Sequence, residues 1–151
     1  LLAIQAQHGH SFRFWARSLN DPKLRADLDR ALEQVGLVER ADIPAGNLSH
    51  GEKKQLEVGM ALACKPKLLL LDEPMAGMGP GGTVELSRLI RRLKEEMTIL
   101  LVEHDMETIF SLADRITVLV YGEVVTTGTA EEIRNNPVVR QAYLGDEDEP
   151  C

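Results

Sequence analysis

Two short apolar runs that end in acids limit the fold more than any other feature of the chain. KLLLLD at 67–72 and TILLVE at 98–103 are each strand-sized, and a segment of helical pattern lies between them. Continuous apolar strands spaced by helices predict an α/β fold with a parallel sheet covered on both faces. The intervening helix is expected over 83–96 and another over 106–112. RITVLVYG and EVVTTG follow, and a hairpin turn at Gly122-Glu123 makes them an expected antiparallel edge. Residues 129–144 read as two short closing helices, the second beginning near Pro137.

Upstream of the first strand the pattern is helical. Asp21-Pro22 is a helix start, Leu24, Leu28, Leu32 and Val35 follow at spacings of three or four, and Gly36 ends the run. Residues 41–48 are rich in turn formers, and 49–63 reads as a second helix with Leu56, Met60 and Ala63 on one side. No internal repeat or low-complexity tract interrupts the series.

With 151 residues, 44% of them hydrophobic, the chain can bury a core of ordinary size, so one compact domain or a large part of one is expected. Seventeen basic residues against 24 acidic give a net charge of −7, and the basic ones form no block, which argues against a nucleic-acid surface. The acids at 146–149 read as a solvated tail. Cys64 and Cys151 supply neither a disulfide framework nor a zinc spacing. The apolar runs fall far short of the ~20 residues that span a bilayer. The first residue is Leu1 rather than Met, and no basic-then-apolar leader follows, so the start is expected to be a cut through a longer protein.

Three places could carry chemistry. Asp72-Glu73-Pro74 puts two carboxylates at the C-terminal end of a buried strand, where open α/β sheets bind ligands. In phosphoryl transfer one such carboxylate serves Mg²⁺ and its neighbour orients the attacking water. His104, in Glu103-His104-Asp105, is expected at the same sheet edge, where it could meet a γ-phosphate or steady a water. Ser49-His50-Gly51-Glu52 opens a helix, and S-x-x-E is a capping box that satisfies free backbone N–H groups. The same helix start is also a ready anion site, and local chemistry does not choose between the two.

Two competing motifs fail on placement. Gly77, Gly79 and Gly82 match G-x-G-x-x-G, with Glu103 about where a ribose-binding acid would lie. A dinucleotide fold needs its first glycine almost at the strand end, yet five residues intervene here, two of them acids that would repel a pyrophosphate. A serine-hydrolase elbow is excluded because GNLSHG is not G-x-S-x-G and follows no strand.

LSHGE on a helix, LLLLDEP on a strand and LLVEHDM on the next strand together resemble the ABC ATPase family, and the resemblance covers essentially the whole chain. It implies part of a P-loop NTPase fold of ABC type, with 1–63 from the helical subdomain, 64–145 from the C-terminal part of the core and 146–151 a tail. Asp72 would be the Walker B carboxylate that holds Mg²⁺, Glu73 the residue that polarises water, and His104 the switch histidine. Ser49, His50, Gly51 and Glu52 would form the signature, reaching across a dimer onto the partner's ATP. His50 and Glu52 depart from the usual LSGGQ, and Gly79 stands where the D-loop Asp is usual. LSHGE, LLLLDEPMAGM, VEHDM and VVRQAYLG together look like the branch for branched-chain amino acid uptake, with urea and amide importers as close relatives.

The resemblance further implies ATP and Mg²⁺ as cofactors and a peripheral place on the cytoplasmic face of the inner membrane. Its implied partners are a second ATPase subunit, integral membrane permease subunits and a periplasmic or extracellular substrate-binding protein, with no nucleic acid. No G-x-x-x-x-G-K-[ST] occurs in the sequence, so these residues alone are expected to be inactive and to expose apolar sheet surface. The alternatives are an ABC ATPase acting on DNA or the ribosome and an inactive docking fragment.

Overall fold

The computed structural model describes residues 3–4 and 21–144, in two compact units, Leu1–Val102 and Glu103–Cys151. The acidic tail expected at 146–151 lies outside the described residues.

In the first unit, helix α1 spans Pro22–Val35. The Asp21 carboxylate accepts from the Lys23 N–H at 2.9 Å, and Pro22 takes a first-turn place where no N–H is needed. Gly36, at φ 73, stops the helix as its sequence predicts, and the Leu37 N–H donates to Leu32 O at 2.8 Å. Leu24, Val35 and Leu37 are buried.

Helix α2 spans His50–Leu62 and turns Val58, Gly59 and Leu62 to the interior. This corrects the expected face of Leu56, Met60 and Ala63, for Met60 is 50% exposed. Gly59 is the reason: a Cβ there would meet both Val35 methyls at 3.2 Å, so the two helices approach through the smallest residue and not through the largest.

Strands β1, Leu68–Asp72, and β2, Thr98–Val102, pair in parallel, with Leu70 opposite Leu100 and Asp72 opposite Val102. Helix α3, Pro80–Leu93, connects them and buries Leu86, Leu89, Ile90 and Leu93. It begins three residues before the expected start because Pro80 opens its first turn behind Gly79. Leu69 is buried, whereas Leu68, Leu70, Leu100 and Val102 are about half exposed or more, Leu70 reaching 64%. Coverage of both sheet faces is therefore not observed. The runs of leucine carry apolar residues on both sides of the pleat, and only one side is packed.

The second unit begins with helix α4, Met106–Leu112, capped by Asp105. Strands β3, Ile116–Val120, and β4, Glu123–Gly128, form an antiparallel hairpin, a two-stranded sheet of its own with a bulge at Val118/Leu119. Tyr121 and Gly122 sit at its tip with φ 52 and 81, the positive pair that a tight two-residue turn requires. The turn is thus one residue earlier than Gly122-Glu123, and Glu123 pairs with Val120. Helix α5, Ala130–Arg134, and helix α6, Pro137–Val139, which runs on into a π-helical turn over Arg140–Leu144, close the unit. Ile116, Val118, Ile133 and Val139 form its core, with Ile109 and Phe110 packed against them. The Arg134 guanidinium lies 4.3 Å from the centre of the Phe110 ring.

Candidate functional site

The acid pair owes its position to the end of β1. Asp72 is the last strand residue, and Glu73 leaves the strand at φ 43, in the left-handed region that glutamate seldom adopts. The Glu73 N–H donates to Val102 O at 2.9 Å, which holds the bend against the neighbouring strand. Such a backbone costs about 1–3 kcal/mol unless its surroundings fix it. Both acids are exposed, and buried Pro74 and Met75 anchor the loop behind them.

That loop closes on itself and then on α2. The Ala76 N–H donates to Glu73 O and the Met78 N–H to Met75 O, each at 3.1 Å, and Gly77 supplies φ 71. His50 Nε2, at the start of α2, lies 3.1 Å from Ala76 O. A Cβ on Gly51 would meet the Met78 methyl at 3.2 Å and the Gly82 Cα at 3.6 Å. Two of the glycines that mimic a dinucleotide fingerprint, Gly77 and Gly82, therefore let a turn and a helix start pack against α2, while a Cβ on the third, Gly79, would meet open space.

The helix start itself is a complete capping box. Ser49 Oγ accepts from the Glu52 N–H at 3.2 Å, and Glu52 Oε2 accepts from the Ser49 N–H at 2.8 Å. Arg40 Nε donates to the other carboxylate oxygen of Glu52 at 2.6 Å. The Ser49 N–H, the Ser49 hydroxyl and Arg40 hold the Glu52 carboxyl below its ordinary range, against a smaller opposing effect of desolvation. Glu52 is thus committed within the protein. The amides of His50 and Gly51 stand at this helix end outside the box. Sequence reasoning missed Arg40 and the Ala76 carbonyl, whose partners lie 12 and 26 residues away along the chain.

His104 belongs to the second unit. Its ring is largely exposed, Nδ1 lies 3.9 Å from Glu103 Oε2, and its N–H donates to the same oxygen at 3.3 Å. Asp105 next to it accepts from Thr108 Oγ1 at 2.6 Å and from the Glu107 N–H at 3.1 Å. The Thr108 hydroxyl is the main cause of a lowered Asp105 carboxyl, with the Glu107 amide adding to it and burial opposing it.

Among the described residues no three His, Cys, Asp or Glu side chains gather as a metal cage. Mg²⁺ bound with a phosphate substrate needs no cage, because one or two carboxylates suffice when phosphate oxygens and water complete the shell. The exposed carboxylate of Asp72 at the strand end fits that requirement. Among the described residues no helix is long and apolar enough to cross a membrane.

The profile of the ABC transporter family matches residues 3–76, and that of the branched-chain amino acid ATP-binding cassette transporters matches 123–149. LivG of Salmonella typhimurium, a high-affinity branched-chain amino acid transport ATP-binding protein, is 47% identical over 124 residues, 79% of this chain and 49% of LivG. BraF of Pseudomonas aeruginosa, of the same description, is 40% identical over 153 residues, 95% of this chain and 60% of BraF. A crystal structure of the ADP conformation of an ATP-binding cassette of an ABC transporter superposes with a TM-score of 0.77 at 28% identity, covering 96% of this chain and 61% of that one. The chain therefore spans about half the length of the curated relatives it matches. Matched at both ends by family profiles and along most of its length by such relatives, the chain belongs to the ABC transporter ATP-binding family, in its branched-chain amino acid branch.

Proposed function

We propose that these residues serve the ATP-hydrolysing subunit of an ABC importer for branched-chain, hydrophobic amino acids. The observation that carries the reading is the joining, within one unit, of a capped helix start at Ser49 to the loop that follows Asp72-Glu73. A helix start offers N–H groups to a phosphate, and the acid pair offers a metal ligand and a base. The G-x-x-x-x-G-K-[ST] loop that cradles ATP is assigned to sequence outside these residues. Residues 1–63 are assigned to the helical subdomain and 64–145 to the core.

In this reading Asp72 holds Mg²⁺, which when bound neutralises charge on the phosphate oxygens. Glu73 accepts a proton from the attacking water and orients it, and its held backbone fixes where its carboxylate can go. His104 donates to the γ-phosphate. Ser49 turns its hydroxyl proton from the Glu52 carboxylate to an oxygen of the ATP bound by a second ATPase subunit, and the amides of His50 and Gly51 add to it. Glu52 serves differently from the Gln of LSGGQ: its carboxylate is held by Ser49 and Arg40, which keeps its charge off the phosphate. Closure of two such subunits on ATP drives permease subunits that receive cargo from a substrate-binding protein, at the cytoplasmic face of the membrane.

The test is Glu73→Gln in the full-length gene product. Hydrolysis should fall by about 10²-fold or more while ATP binding, followed by nucleotide fluorescence, survives. Turnover at the unmodified rate would remove Glu73 from its role.

A further inference from the structure

We propose that His50 is a positioning residue, which ties the helix start carrying Ser49 to the loop that sets the backbone of Glu73. The inference rests on the reading of Glu73 just given. His50 Nε2 lies 3.1 Å from Ala76 O, and the N–H of that same Ala76 donates to Glu73 O at 3.1 Å. The Glu73 N–H in turn donates to Val102 O at 2.9 Å. Three hydrogen bonds thus run from the first residue of α2, through the two peptide groups that flank Ala76, to the left-handed residue at the end of β1 and on to the neighbouring strand.

The geometry requires a proton on Nε2, because a carbonyl can only accept. Both the Nε2–H tautomer and the imidazolium supply it. Buried Pro74 and Met75 and the Met78 N–H to Met75 O bond hold the body of the loop, and His50 adds a bond to the Ala76 carbonyl beside Gly77, which has φ 71 and where a Cβ would stand 3.7 Å from the His50 ring. Met78, wedged between Gly51 and Gly82, adds packing and no direction. A donor at position 50 therefore biases where the Ala76–Gly77 peptide points, and through Ala76 how tightly Glu73 keeps its backbone.

Phosphate arriving at the helix start would pull on His50 and Gly51, and the chain of bonds transmits that displacement to Glu73. The step between signature and acid pair is carried by a side chain that a glycine at position 50 would lack.

Three variants of the full-length gene product decide it, with Mg-ATP as the probe. His50→Leu removes the donor, and His50→Asn keeps an amide too short to reach Ala76 O; each should lower kcat about fivefold to tenfold with KM within about twofold. His50→Gln carries an amide N–H at the reach of Nε2 and should restore kcat to within about twofold of the unmodified protein. Equal rates for Gln and Asn would overturn the proposal, as would a raised KM with unchanged kcat, which would mean that His50 meets the nucleotide directly. Glu73→Gln serves as control. Full turnover in that variant overturns the underlying reading, whereas a dead Glu73→Gln beside an unimpaired His50→Leu overturns this inference alone.

Discussion

Among the described residues the same local device occurs twice, and the two copies differ in everything around them. Ser49 and Glu52 form a capping box at the start of α2, and Thr129 and Glu132 form one at the start of α5. Each hydroxyl accepts from the amide three residues on, and each carboxylate accepts from the amide of its cap. Around Ser49 the next two residues, His50 and Gly51, pack against the loop that follows the acid pair, and Arg40 takes up the second oxygen of Glu52. Around Thr129 the carboxylate folds back on Gly128, the last residue of β4, and on the Thr129 hydroxyl. A four-residue pattern therefore specifies a cap. Whether that cap also faces a ligand is decided by the elements packed against it.

The comparison breaks most visibly in turnover. Ser49→Ala and Thr129→Ala should each cost about 1 kcal/mol of stability, read from urea unfolding. Only Ser49→Ala should also lower ATP hydrolysis of the full-length gene product, by about 10²-fold. Equal effects on hydrolysis would make both boxes merely structural.

The neighbouring glycines sharpen the contrast in stability. A Cβ on Gly128 would lie 2.6 Å from Glu132 Oε2 and 3.0 Å from its Cβ, so Gly128→Ala must displace the box itself and should cost about 1–3 kcal/mol. Gly51→Ala meets a flexible Met78 methyl at 3.2 Å and should cost less, with melting temperatures of the two variants as the check.

The smallest expected effect is shared. Glu52 and Glu132 both titrate below their ordinary value of 4.5, chiefly because the amides of Ser49 and Thr129 bond the charged form. The sign follows from linkage: their stabilisation is fully present above pH 4.5 and fades as pH falls through the lower folded values. Unfolding midpoints across pH 3–6 should show both boxes weakening together. A fall confined to one would mean that its carboxylate is bonded otherwise in solution.

Local signals made much of this fold legible. Asp21-Pro22 and Gly36 bound α1 as read, and the capping box at Ser49 and the parallel pairing of KLLLLD with TILLVE needed only short-range pattern. Errors arose where two elements meet. The buried side of α2 follows Gly59 because Val35 comes to it, and a helix pattern read alone favours Met60. A run of four leucines does not mark which side of the sheet is open, since every position is equally apolar; the exposed apolar surface was expected only from the lack of a G-x-x-x-x-G-K-[ST] segment. The residues proposed for the site, 49–52, 72–73 and 104, were chosen from their types and spacing in the sequence. The contacts from His50 to Ala76 and from Glu52 to Arg40 were not legible, because nothing short-range links residues so far apart along the chain.

With Glu73 in its proposed role, its left-handed backbone would set selection for endurance against selection for turnover at one codon. Glycine at this position would relax the bend, so a library chosen only for survival of heat would drift toward it. A library chosen for growth on transported substrate would hold glutamate there and accept the strain.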